Sequence, residues 1–140
     1  MKNLYEVFDE FEEAKNKEQK LAVIEKNLSK TLVDVLTYTF HPDYQWLITE
    51  MPDSYKIPDT FPGISRCQLS TEIRKLYLFQ KGNPSAEQLT AEKRIQLLLQ
   101  LLESIEPREA EVVIGMLSKD LGVKGLNYKF VKEAFPNLLP

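Results

Sequence analysis

The sequence predicts an all-α fold, a compact bundle of about seven or eight helices forming one domain over residues 1–140. Three observations predict it. Apolar residues recur at helical spacing along most of the chain. Capping residues stand before most of these runs. No segment shows sustained period-two alternation, and no Gly-rich hairpin signal separates two β-branched runs.

The elements follow in order. Leu4, Val7, Phe8 and Phe11 fall at i, i+3, i+4 and i+7, with Asn3 and Glu6 spaced as a capping box. Asn16 and Gln19 open a second helix that runs to about Asn27 and buries Leu21 and Ile24. A third starts near Ser29 and carries Leu32, Val35, Leu36 and Phe40 on one face. Pro42, Pro52, Pro58, Pro62 and Gly63 then break the pattern. Tyr44, Trp46, Leu47 and Ile48 form one short helix in this reading. Residues from Met51 to Ser65 are the longest irregular stretch, pinned by Tyr55, Ile57, Phe61 and Ile64.

Helical signals resume with Leu69, Ile73, Leu76 and Tyr77, a helix that stops at Gly82. Ser85 and Gln88 give a capping signal. The segment from about Thr90 to Ser104 carries Ile95, Leu98, Leu99 and Leu102, widened by Leu97 and Leu101, which predicts a central helix. Pro107 suits the first turn of the next, which buries Val113, Met116 and Leu117 and ends near Gly122. Asn127 caps a last helix bearing Tyr128, Val131 and Phe135.

Of the 140 residues, 43% are hydrophobic and 28% charged, the balance of an ordinary globular protein rather than a disordered one. Cys67 is the single cysteine, so an internal disulfide is excluded and a reducing, cytoplasmic setting is expected. No signal-peptide run and no membrane-length apolar segment occur. The net charge of −3 argues mildly against nucleic acid. Its distribution argues the other way. Residues 1–70 carry 8 Lys+Arg against 12 Asp+Glu, net −4, whereas residues 71–140 carry 10 against 9, net +1. Arg66 to Lys81 and Lys119 to Lys132 are locally basic, and a local patch is enough for an electrostatic footprint.

Little in the sequence suggests catalysis. His41 has no partner at ligand spacing and reads as the end of a helix. Cys67 stands beside Arg66 but has no second cysteine or histidine to support nucleophilic use. Glu6, Glu10 and Glu13 form a solvated acidic face without the loop of a calcium site. Neither GxxxxGK[ST] nor GxGxxG occurs. No metal, cofactor or small-molecule substrate is expected. The nearest thing to a phosphate loop is Leu121-Gly122-Val123-Lys124-Gly125-Leu126-Asn127, between two helices. Amides there attract phosphate and Lys124 and Lys129 add charge. An ordinary connection between two helices explains the same residues as well.

Lys17 to Asn27, KEQKLAVIEKN, resembles the second-helix region of the N-terminal DNA-binding domain of the T-even phage type of ATP-dependent DNA ligases. Leu36-Thr37-Tyr38 followed by an aromatic cluster, Lys119-Asp120-Leu121 before a glycine-containing loop, and the closing Phe135-Pro136-Asn137-Leu138-Leu139-Pro140 are similar too. The resemblance implies an all-helical domain that grips duplex DNA through its backbone. It points to Lys119, Lys124, Gly125, Asn127 and Lys129, and the basic stretch before Gly82 adds Arg74, Lys75 and Lys81. The small residues usual after the loop glycine are replaced by Leu126 and Asn127, with one residue inserted. The Lys-x-Asp-Gly motif is missing, so no nucleotidyl transfer is expected. Two functions result: a stand-alone, non-catalytic DNA-binding accessory protein, phage-encoded and acting in the host cytoplasm, or a protein-interaction adaptor or inhibitor docking on a replication, repair or host factor.

Overall fold

In a computed structural model of the chain, residues 3–48 and 68–140 are described. Among them every regular element is helical: α1 Leu4–Glu13, α2 Lys17–Lys26, α3 Lys30–Phe40, α4 Leu69–Glu72 running into a 3-10 helix Ile73–Phe79, α5 Pro84–Glu87, α6 Ala91–Ser104, α7 Pro107–Leu117 and α8 Tyr128–Ala134. The expected all-α bundle is observed. The expectations for Tyr55, Ile57, Phe61, Ile64, Cys67 and the Met51–Ser65 stretch lie outside the described residues.

Local chemistry explains most boundaries. Asn16, Ser29, Thr90 and Asn127 each accept a backbone N–H of the first turn, from Gln19, Leu32, Lys93 and Phe130 at 2.9–3.1 Å. Each satisfies one of the donors a helix start leaves unpaired. Two caps differ from the reading. Asn3 does not close a capping box; its amide donates to the Tyr5 hydroxyl and to Glu6. Tyr5 is itself held by Glu106 at 2.9 Å, from the far end of the chain. Asn83, not Ser85, caps α5, accepting Ser85 N–H at 2.9 Å, with Pro84 at the first helical position.

α1 buries Leu4, Val7, Phe8 and Phe11 as the spacing requires, each side chain contributing roughly 1.5–3 kcal/mol. The segment after α4 winds tighter than expected. At three residues per turn, Ile73, Leu76 and Phe79 share one side and are buried, while Tyr77 turns outward, 47% exposed. The short helix expected after His41 is also absent from residues 44–48: Trp46 bridges antiparallel to Gln80, and Leu47 N–H donates to the Phe79 carbonyl at 2.7 Å. In α8, Phe130 rather than Tyr128 joins Val131 in the core.

The centre of the bundle is α7, not α6. It packs against α1, α3 and α6, and its Ala110, Val112, Val113, Gly115, Met116 and Leu117 are all buried. Small and β-branched residues let its neighbours close in. Gly115 shows how closely: a Cβ there would lie 3.0 Å from Leu121 Cα and 3.1 Å from the Asp120 carbonyl. α6 buries Leu98, Leu101 and Leu102 against α7, leaving Ile95, Leu97 and Leu99 half-buried.

Candidate nucleic-acid interface

The connection from α7 to α8 carries Lys119, Lys124, Gly125 and Asn127 of the sequence-predicted site residues, and Lys129 follows in the first turn of α8. α7 ends with Lys119 N–H donating to Met116 O at 3.1 Å and Asp120 N–H to Gly115 O at 2.9 Å. This is the Schellman pattern, and it puts residue 119 in the left-handed region, with φ 62°. Asp120 then turns the chain by accepting Gly122 N–H at 2.9 Å. Leu126 N–H donates to Val123 O at 3.1 Å, closing a turn in which Gly125 has φ 86°. Asn127 caps α8. Lys124, Gly125, Asn127 and Lys129 are all exposed.

Lys119 is a correction. Its ammonium does not face solvent as a phosphate ligand would. Nζ donates to the carbonyls of Tyr38 at 3.0 Å, His41 at 3.0 Å and Tyr44 at 2.7 Å. Burial pushes its pKa below the ordinary lysine value. The Tyr38 carbonyl lies in the last turn of α3 and the other two in the turn that follows, where the His41 carbonyl also accepts the Tyr44 N–H at 3.2 Å, so Lys119 closes the end of α3 from another element. Around it Tyr38 meets Tyr44 and Trp46 edge-on, ring centroids 4.9 and 5.6 Å apart.

The first turns of α2 come up beside the 123–126 turn, a neighbour sequence spacing did not reveal. A Cβ on Gly125 would lie 3.5 Å from Lys20 Cε. Lys20 Nζ donates to the Phe11 carbonyl at 2.9 Å and lies 4.6 Å from that ring's centroid. Lys17 pairs with Glu133 on α8. That hydrogen bond, then the charges of Lys17 and Lys129, hold the Glu133 carboxyl below its ordinary pKa. Lys17, Lys20, Lys124 and Lys129 thus belong to one neighbourhood.

Carboxylates border it. Glu12 accepts the Lys124 amide at 3.4 Å, and Asp120 holds the Gly122 amide. On the other flank of the connection a shallow depression is lined by Asp9, Glu12 and Glu111 along with Arg108. Arg108 clasps Asp9 through two bonds of 2.6 and 2.8 Å, which lowers the Asp9 pKa. Glu6, Asp9, Glu10 and Glu13 line the outer face of α1.

Arg74, Lys75 and Lys81 are exposed on a different group of elements. Arg74 and Lys75 ride on the 3-10 helix, which packs on α4 and α5; Lys75 is 2.8 Å from Glu72. Lys81 comes nearest to the connection, its amide donating to Gln45 O at 2.7 Å, one residue beyond the carbonyl that Lys119 holds.

Among the described residues no cluster of three or more His, Cys, Asp or Glu is placed to hold a metal ion. None of their helices is long and apolar enough to cross a membrane. The fold and site define a small helical protein with a lysine-bearing connection. The chain belongs to the family of unknown function DUF6433, whose profile matches residues 7–123. That span includes Lys119 and stops one residue before Lys124. No curated protein matches the chain.

Proposed function

We propose that this protein is a non-catalytic accessory protein that binds the backbone of duplex DNA, in the manner of the ligase DNA-binding domain its sequence resembles. One observation carries the reading: Lys17 and Lys20 of α2 stand beside Lys124, Gly125 and Lys129. The exposed Lys124 and Lys129 would contact phosphate, with Lys17, paired to Glu133, and Lys20, bonded to the Phe11 carbonyl, adding positive charge behind them; lysines act as point charges and carry no base-reading geometry. The acidic outer face of α1 would repel a duplex and so orient it. On this reading the protein works in the cytoplasm, the host's if it is phage-encoded, and needs no cofactor.

The test is a titration of fluorescent duplex DNA at several salt concentrations. Binding should be indifferent to sequence and steeply salt-dependent, each neutralised phosphate adding roughly 0.9 to the slope of log affinity against log salt. Replacing Lys124 and Lys129 together by alanine should lower the slope by up to about two units.

A second reading, a protein-interaction adaptor, has its own support. The Lys124 and Gly122 amides already face Glu12 and Asp120, which leaves fewer free donors for phosphate. It expects no duplex binding even at low salt.

A further inference from the structure

The left-handed C′ position of a Schellman motif normally belongs to glycine, because a Cβ there meets the following carbonyl. In this chain Lys119 occupies it, at φ 62°. A lysine at that position costs backbone energy that Gly would avoid, so its side chain must return something. What it returns is visible: three hydrogen bonds of 2.7–3.0 Å from one ammonium to carbonyls of Tyr38, His41 and Tyr44.

These bonds tie together parts distant in sequence. The backbone of Lys119 is fixed to α7 through Met116, and that of the next residue, Asp120, through Gly115. The Lys119 side chain is fixed to the end of α3 and to the segment after it. That segment pairs with the chain around Gln80, and so reaches Lys81. Five residues further on in the other direction stands Lys124. The connection starts close against α7, where a Cβ on Gly115 would lie 3.0 Å from Leu121 Cα.

We propose that Lys119 is a positioning residue: it fixes the direction in which the 120–127 connection leaves α7, and so presents Lys124 and Lys129 to phosphate without touching phosphate itself. This rests on the DNA-binding reading. Without the clamp, the Tyr38 and Tyr44 carbonyls lose the ammonium and residue 119 is no longer tied to the end of α3, so the connection leaves α7 at another angle.

The experiment compares wild type, Lys119→Met and Lys119→Gly in the duplex titration at several salt concentrations, below the melting temperature of each. Methionine keeps the stem and removes the ammonium. Glycine also removes the ammonium but relieves the backbone, so it keeps the test alive should the methionine variant fail to fold. Affinity should fall by on the order of tenfold, about 1.4 kcal/mol, in both variants, with the salt slope unchanged. A change in fold stability alone would not produce this, because glycine relieves the left-handed backbone and methionine does not, so a stability effect would separate the two variants. A slope lower by about 0.9 would make Lys119 a direct phosphate contact and overturn the inference. So would either variant binding as tightly as wild type. A wild type that binds no duplex at low salt overturns the DNA reading and this inference with it.

Discussion

Asn127 accepts the Phe130 amide at 2.9 Å and thereby starts α8, the helix that carries Lys129. Replacing it by alanine should cost about 1 kcal/mol of stability, read as a lower urea midpoint with an unchanged m-value. Glu109 gives a pH prediction at the same scale. It is buried in α7, accepts a backbone bond from Leu69 and lies near Glu106; burial chiefly, opposed by the Leu69 bond, leaves its carboxyl above the ordinary value of 4.5. A raised folded pKa means the folded state holds the proton more tightly than the unfolded chain. This contribution is complete below about pH 4.5 and lost as pH rises through the folded value. Glu109→Gln should therefore gain stability relative to wild type as pH rises through that window. A stability difference that stays flat from pH 4 to 7 would contradict the assignment. The caps Asn16 and Asn127 are legible because their partners lie three residues away, and the same spacing places helix starts near Ser29 and Thr90. Asn3 is not, because the Tyr5 hydroxyl that takes its amide is oriented by Glu106, 101 residues from Tyr5.

At the scale of elements, the 3-10 helix makes a sharp distinction between neighbours. Leu76→Ala should cost about 2–5 kcal/mol, whereas Tyr77→Ala should stay within about 0.5 kcal/mol. An α-helical winding, the pattern read from sequence, would make both costly. Ile73 and Leu76 fit periods of 3.0 and 3.6 alike, and only packing of Phe79 decides between them. The centrality of α7 was hidden for a related reason. Leucine-rich α6 looks more apolar, but the small Gly115 and Ala110 of α7 admit closer neighbours. The lysine neighbourhood makes a prediction of its own. On the proposed DNA-binding function, Glu12 and Glu133 would compete with phosphate for the Lys124 amide and the Lys17 ammonium. Replacing both by glutamine should tighten duplex binding, by an amount that shrinks as salt rises and screens the lost charges. Unchanged affinity at low salt would show that neither carboxylate faces the bound DNA.

For the whole molecule, the proposed function rests on a division of charge that the sequence shows only in part. Net −3 conceals an acidic α1 and a basic connection. The halves of the chain differ in sign, and that much is legible. That Lys17 and Lys20, more than 100 residues before Lys124, share its surroundings is not. Nor is the withdrawal of Lys119 into the end of α3, since a lysine before Asp-Leu reads the same whether its ammonium meets phosphate or carbonyl. The most direct test of the proposed DNA-binding surface is to follow backbone amide chemical shifts of the labelled protein as short duplex DNA is added at low salt. The account predicts perturbations concentrated at residues 17–20 and 122–129, saturable and reversed by salt. Perturbations centred on Glu6, Asp9, Glu10 and Glu13, or none within 122–129, would contradict it.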